Sequence, residues 1–204
     1  MNTPFQLYKA FKISIIEDSI ENVENYFNSF LTKFNLTTER LKDVDFNSVC
    51  SSHIIPYIPS DIKFILYEPL TNPGKTIFFS NFGGDGWYTA VYNYISISRK
   101  SAYHIGFSND QEASAYSFHY FYFKNNKATE RSISAIKDDK WIFYEKGDSL
   151  NIEDRSNYQK RKIVDRLNNK IILEYLLKAG YNLTDMSFYC TSQNPQLFKS
   201  KLTQ

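Results

Sequence analysis

Cysteine, glycine and proline are scarce in this chain of 204 residues. The only two cysteines, Cys50 and Cys190, are far apart in the sequence, whereas a secreted scaffold held by disulfides is much denser in cysteine. Seven glycines and six prolines are also too few for a disordered or low-complexity chain. These scarcities predict a globular protein of a reducing compartment, and they leave open whether the two thiols ever pair.

Membrane-crossing segments and a strong charge of one sign are lacking as well. The longest apolar runs fall far short of the ~20 residues that cross a bilayer, and residues 1–11 do not have the pattern of a signal peptide. The 24 basic residues are nearly balanced by 22 acidic ones, and the net charge of +2 disfavours a dedicated nucleic-acid-binding domain. We therefore expect a cytoplasmic protein that does not bind a membrane, and nucleic acid is a disfavoured partner.

Aromatic residues, in contrast, are abundant, with 16 tyrosines and 17 phenylalanines. Tyrosine is favoured at protein interfaces because its ring is large and rigid and its hydroxyl group is polar. The codon usage of an AT-rich genome, which also enriches isoleucine, asparagine and lysine, explains the same composition more simply. The aromatic content is therefore compatible with an interface and does not establish one.

Helical periodicity predicts two long helices. Asp18 and Glu21 have the spacing of a capping box, and apolar residues at helical spacing follow them, which predicts a helix over residues 19–34. A second apolar stripe predicts a helix over residues 157–178, which Gly180 ends. Other patterns predict a short helix over Thr38–Asp43, strands over 62–67 and 76–82, a helix over 87–97 and an antiparallel meander over 102–145.

These elements predict an α+β fold, organised as a single domain over residues 1–204. In the meander, Asn125-Asn126 and Asp138-Asp139 are the predicted hairpin turns, since both residue types favour turns and asparagine tolerates positive φ. An antiparallel sheet built mainly from residues 62–145 is expected, with the two long helices covering one of its faces.

The sequence has no recognisable signature of a metal, cofactor or catalytic site. The three histidines, His53, His104 and His119, do not have the spacing of metal ligands, and no paired cysteine motif accompanies them. The segment 83–86 is rich in glycine but lacks the lysine of a phosphate loop and the alternating acids of a calcium loop. We interpret it as a tight turn in which Asp85 caps the following helix. No metal, cofactor or catalytic residue is predicted.

The densest charged stretch runs over residues 153–166 and admits two interpretations. As a basic patch with an aromatic residue it would contact phosphates. However, acidic residues interleave with the basic ones, and Arg161 and Asp165 are four apart, as in a helical ion pair. We favour the second interpretation and predict structural roles for Arg161, Asp165, Arg166 and Glu153.

The C-terminal half has a distinctive order of residues. It runs Trp141-Ile142-Phe143-Tyr144-Glu145-Lys146-Gly147, Leu150, Glu153-Asp154, Tyr158, Arg161, Asp165-Arg166-Leu167, Tyr175-Leu176 and Gly180, and it is preceded by Asn81-Phe82 and Asp85-Gly86-Trp87. This pattern, over residues 76–190, resembles the small cytoplasmic immunity proteins encoded beside bacterial polymorphic toxins, including those of contact-dependent growth inhibition systems. The resemblance implies a bacterial protein that binds a cognate toxin domain and blocks it in the cytoplasm, without catalysis.

A protein of this kind would recognise its toxin through exposed residues on strand faces and turns. We predict Tyr120, Tyr122, Asp138 and Asp139 as contact residues, although the tyrosines could equally face the core and the aspartates could simply form a turn. Two other functions stay open at this stage. One is a small enzyme with a site assembled from Glu145, His119 and Arg131, and the other is a nucleic-acid-binding module that uses Lys160–Arg166.

Overall fold

The computed structural model describes residues 3–30, 37–49, 61–81, 85, 87–109 and 114–201 of the chain. Its helices are α1 (Pro4–Leu7), α2 (Ile20–Phe30), α3 (Tyr88–Ser98) and α4 (Asn169–Lys178). Short 3₁₀ helices cover Phe46–Ser48, Arg155–Gln159, Ile163–Asp165 and Met186–Tyr189. The strands are β1 (Ala10–Ile16), β2 (Thr37–Arg40), β3 (Asp61–Tyr67), β4 (Thr76–Ser80), β5 (Ala102–Ser108), β6 (Ala115–Lys124), β7 (Lys127–Lys137), β8 (Trp141–Lys146) and β9 (Gln196–Lys201).

The described strands form one antiparallel sheet in the order β2-β9-β3-β4-β1-β5-β6-β7-β8. This confirms the predicted α+β fold with an antiparallel sheet, and the meander over 102–145 is confirmed as β5 to β8. Strands β1 and β9 were not predicted from the sequence. Strand β1 lies at the centre of the sheet, and β9, from the other end of the chain, lies between β2 and β3.

Helices pack on both faces of this sheet. On one side, named the α3 face, helices α2 and α3 bury Phe27 and Val91 against the sheet. On the opposite side, named the α4 face, helix α4 buries Tyr175. The prediction that the helices near 19–34 and 157–178 cover the same face is therefore wrong.

The reason lies in the central strands, which carry apolar side chains on both faces of the sheet. Ile65 belongs to the core on the α4 face and its neighbour Leu66 to the core on the α3 face. Because successive side chains of a strand point to opposite faces, such continuous apolar runs require a cover on each side. The unbroken run of Ile62 to Tyr67 is the part of the sequence that carries this signal.

Three helix predictions also change at the level of single residues. Thr38–Asp43 is not helical, because Thr37–Arg40 pairs with β9 as an edge strand. Helix α4 begins only at Asn169, since the Asn168 side chain accepts a hydrogen bond from the Ile171 amide at 3.1 Å and thereby caps it. Helix α2 is described as far as Phe30, and the rest of its predicted span lies outside the described residues.

The predicted turn at Asn125-Asn126 and the predicted stop at Gly180 are confirmed. Asn125 and Asn126 have φ values of 52° and 58°, as a two-residue hairpin turn requires. The prediction that Asp85 caps α3 is wrong, because the N-cap residue is Trp87, and the Asp85 carboxylate accepts from the Trp87 amide at 3.0 Å in the turn before the helix. Gly180 has φ of 93° directly after α4. Among the described helices, none is long and apolar enough to span a membrane.

Candidate functional site

A row of polar side chains crosses the α3 face of the sheet, where a core would ordinarily be apolar. Strand register aligns Ser14, His104, His119 and Ser132 on four neighbouring strands, and we call this set the histidine row. The His104 Nε2 atom lies 2.8 Å from the Asp85 carbonyl oxygen, so it carries the proton and donates. The His104 Nδ1 atom then accepts from the Ser14 hydroxyl at 2.8 Å. Similarly, the His119 Nδ1 atom lies 2.9 Å from the Ser132 Oγ atom.

Burial keeps both imidazoles neutral at pH 7. It is the main reason that the pKa of His104 lies well below its ordinary value, and the nearby His119 and Lys12 act in the same direction. The pKa of His119 falls to about 4, again through burial first and then through the Lys12 ammonium. The histidine row is therefore a set of neutral donors and acceptors next to one positive charge.

That positive charge, Lys12, projects from β1 onto the same face. The Lys12 side chain crosses Gly106, because a Cβ atom added to Gly106 would lie 3.5 Å from Lys12 Cε and 2.6 Å from Ser117 Oγ. The Ser117 hydroxyl is buried and has no hydrogen-bond partner in the part of the chain that the structure describes. Burial also lowers the pKa of Lys12, and the Asp85 charge offsets part of this effect.

Large apolar side chains are exposed on the outer strands of this face. Ile136 on β7 and Ile142 and Tyr144 on β8 are 42%, 59% and 50% exposed. Ile136 pairs with Ile142 across the two strands, and Tyr144 is two residues further along β8, so the three form one continuous strip. We call Ile136, Ile142 and Tyr144 the β8 patch. The exposed turn of Asp138 and Asp139 adjoins its far end.

A groove of about 680 Å³ lies between helix α3 and the sheet, where the first residues of β7 (127–130) lie beside the last residue of β8, Lys146. Its wall is formed by Tyr88 and Tyr92, whose rings stack in parallel with centroids 6.4 Å apart. Its floor holds Glu130, which accepts hydrogen bonds from the Tyr88 hydroxyl and from Lys146 Nζ. The groove, the histidine row and the β8 patch share the α3 face.

No known protein family, curated protein or solved structure matches this chain.

The four predicted contact residues do not form one cluster. Tyr120 and Tyr122 lie on the α4 face, half-buried, with their rings stacked at 5.5 Å. Asp138 and Asp139 are exposed in the turn between β7 and β8. Tyr122 pairs with Thr129 at the other end of β7, so Tyr122 and the aspartates are roughly 30 Å apart at ~3.3 Å per residue. The aspartates adjoin the β8 patch, and the tyrosines do not.

The residues of the alternative enzyme site are also separated. Arg131 and Glu145 meet on the α4 face, at 2.8 Å between Nη2 and Oε2. His119 points to the α3 face, in the histidine row, and the sheet lies between it and the other two. The structure therefore does not bring His119, Arg131 and Glu145 together, as the alternative enzyme site would require.

Arg131 and Glu153 instead form a buried ion pair that locks the 3₁₀ segment to the sheet. Both side chains are almost fully buried, and Glu153 receives two hydrogen bonds from Arg131 and one from Tyr158. Burial opposes the Arg131 charge, but Glu153 and Glu145 outweigh it and raise the pKa of Arg131. The predicted structural role of Glu153 agrees with this geometry.

Of the other charged residues in 153–166, Arg166 makes contacts within the fold, whereas the helical ion pair predicted between Arg161 and Asp165 does not form. Arg166 donates to the Lys160 carbonyl oxygen at 2.7 Å and lies over the Phe143 ring at 5.5 Å. Arg161 and Asp165 are exposed and form no ion pair within the described part of the chain, because the segment is 3₁₀ and irregular where a helix was expected. Their exposure leaves Lys160–Arg166 as a mixed-charge surface.

Two residues named from the sequence, Cys50 and His53, lie outside the described residues. Cys190 is a free thiol whose Sγ atom lies 3.6 Å from the Met186 carbonyl oxygen. No group of three histidine, cysteine, aspartate or glutamate side chains in the described ranges could hold a metal ion.

Proposed function

We propose that this protein is an immunity protein that neutralises a cognate toxin domain in the bacterial cytoplasm by stoichiometric binding, and that the β8 patch is its main contact surface. The observation that carries the proposal is the exposure of Ile136, Ile142 and Tyr144 side by side on one face. A cluster of exposed apolar side chains is a common mark of a protein-binding site.

The position of β8 supports the same proposal. Strand β8 ends the sheet, and no described strand pairs with its outer side. An edge strand of this kind offers free backbone donors and acceptors to a partner, beside the apolar side chains of the patch. Ile142 and Tyr144 also belong to the segment Trp141–Gly147, which opens the resemblance to immunity proteins.

The charges around the patch are mixed. Asp138 and Asp139 adjoin it, and so do Lys140 and Lys146. With a net charge of +2, the protein is not a generally acidic plug for a basic nuclease site. Apolar contact at the patch, with charged residues at the rim, is the arrangement that most protein interfaces share.

The test is a titration of the toxin domain encoded beside this gene with the purified protein, followed through the residual toxic activity. Stoichiometric binding predicts a linear loss that reaches zero near an equimolar ratio. Protection at far lower ratios that grows with incubation time would identify an enzyme that modifies the toxin or its product.

A further inference from the structure

Lys12 is a lysine in the middle of a sheet, with no ion-pair or hydrogen-bond partner for its ammonium among the described residues. It lies on β1, the central strand, and its side chain is half-buried. Among the described residues, Asp85 is the acidic group whose charge reaches Lys12, yet no salt bridge forms between them, and the Asp85 carboxylate accepts from the Trp87 amide. A partly buried ammonium without a partner destabilises the fold. A lysine of this kind is a candidate for a role in binding.

Two further polar atoms near Lys12 have no hydrogen-bond partner among the described residues. The buried Ser117 hydroxyl converges with the Lys12 side chain above Gly106, which has no side chain to fill the space. His119, the neighbour of Ser117 on the same strand face, uses Nδ1 for Ser132, and its Nε2 atom is bonded to no described residue. When the Ser132 hydroxyl donates to Nδ1, the Nε2 atom carries a proton and becomes a donor.

We propose that Lys12, Ser117 and His119 form a carboxylate-binding site, and that its occupant is an aspartate or glutamate side chain of the partner polypeptide. Three donors, one of them charged, suit the oxygen atoms of a carboxylate. An acidic side chain in this place would supply the charge that Lys12 lacks in the free protein. This inference rests on the proposed function, since it needs a polypeptide partner on the α3 face.

The occupant is assigned to a polypeptide because the site is continuous with the β8 patch. Strand register places Gly106, Ser117, Ser134 and Tyr144 in one line across the sheet, starting opposite Lys12. A segment of the partner that contacts the exposed Tyr144 can therefore extend across Ser134 and Ser117 as far as Lys12. Partly buried charge pairs next to apolar contacts are frequent anchors of protein interfaces.

The first arm of the test uses the isolated protein and sodium acetate as a free carboxylate. Unfolding midpoints are measured at pH 7 in sodium acetate and in sodium chloride of equal ionic strength, for the wild type, Lys12→Met and the exposed control Lys9→Met. Ligand binding to the folded state should raise the midpoint by about 2 °C in the wild type and in Lys9→Met, and not in Lys12→Met.

In chloride, Lys12→Met should unfold at the wild-type temperature or above it, because the change removes an unpaired, partly buried charge. A lower midpoint for Lys12→Met would show that Lys12 is paired inside the fold, and would overturn the proposal. An equal response of Lys12→Met to acetate would overturn it as well.

The second arm measures the affinity of the same variants for the toxin domain by calorimetry. Lys12→Met should weaken the complex by on the order of 100-fold, as expected when one member of a buried interface charge pair is removed, and Lys9→Met should not. A wild-type complex with an unchanged Lys12→Met affinity would overturn the assignment to a partner side chain. If the wild type itself does not bind the toxin, the proposed function fails, and the acetate result still decides whether the site binds carboxylates.

Discussion

At the scale of single residues, two kinds of buried charge have to be distinguished. Arg131 is satisfied within the fold, since Glu153, Glu145 and the carbonyl oxygens of Lys146 and Gly147 accept all of its bonds. Lys12 has no such set of acceptors among the described residues. A charged residue that is fully paired holds the structure together, and one that is not paired is a candidate for recognition.

Arg131→Met should therefore destabilise the protein strongly, by about 3–5 kcal/mol, because it leaves Glu153 buried without its counter-charge. Urea unfolding gives the free energy. The matched control is Lys124→Met, which removes a surface ion pair of 3.4 Å with Asp148 and should change the free energy by less than about 0.5 kcal/mol. Similar losses for both variants would show that the buried pair contributes no more than a surface one.

The neutral histidines make stability depend on pH. The pKa of His119 is about 4 in the folded protein, against 6.5 in the unfolded chain. Between these values the unfolded chain binds the proton more readily, so the free energy of unfolding should decrease as the pH falls from 6.5 to about 4, by on the order of 3 kcal/mol. His104 acts in the same direction.

The control is His119→Gln, which keeps a polar side chain at this position and cannot titrate. The carboxylates of the protein also titrate near the lower end of the window, so the informative quantity is the difference between the two unfolding curves. This difference should shrink as the pH falls, because only the wild type loses the contribution of His119. A constant difference from pH 7 to pH 4 would contradict the assigned pKa.

At the scale of elements, the parts with strong local signals were predictable. Asn125-Asn126 and Gly180 act through backbone conformation, which is local, and the meander carries the alternation that strands require. Strands β1 and β9 and the position of β2 were not predictable, because they exist through pairing between distant parts of the chain. The helix expected over 157–178 began late for a local reason that could have been noticed, the cap at Asn168.

Gly147 directly follows strand β8, and a comparison with Gly74 tests why a glycine is required there. Gly147 and Gly74 both have positive φ, at 85° and 75°, but a Cβ atom on Gly147 would lie 2.3 Å from the Glu130 carbonyl oxygen, while nothing lies within 4 Å of one on Gly74. Gly74→Ala should cost about 1–2 kcal/mol for the backbone conformation alone. Gly147→Ala should cost at least about 2 kcal/mol more, measured by urea unfolding. Equal losses of stability for the two variants would mean that the chain relieves the contact between the new Cβ atom and the Glu130 carbonyl oxygen without a cost in free energy.

At the scale of the whole molecule, the sheet has a filled side and a partly open side. Helix α4 and the 3₁₀ segments cover the outer strands on the α4 face, whereas α3 leaves Ile136, Ile142 and Tyr144 exposed on the other. The sequence contained part of this signal. Lys12 and Ser14 interrupt an apolar strand at every second position, which marks a polar face, but the exposure of the β8 patch follows only from where α3 lies.

The most direct test of the central claim compares two substitutions in the toxin titration. Ile142→Asp places a charge in the β8 patch, and Leu177→Asp places the same charge on α4, where Leu177 is 58% exposed against 59% for Ile142. Both variants should fold as the wild type does, because both positions face solvent. We predict that Leu177→Asp neutralises the toxin at an equimolar ratio, and that Ile142→Asp needs at least about tenfold more protein, in keeping with the loss of an interface anchor. Full neutralisation by Ile142→Asp at an equimolar ratio would contradict the assignment of the β8 patch as the toxin-binding surface.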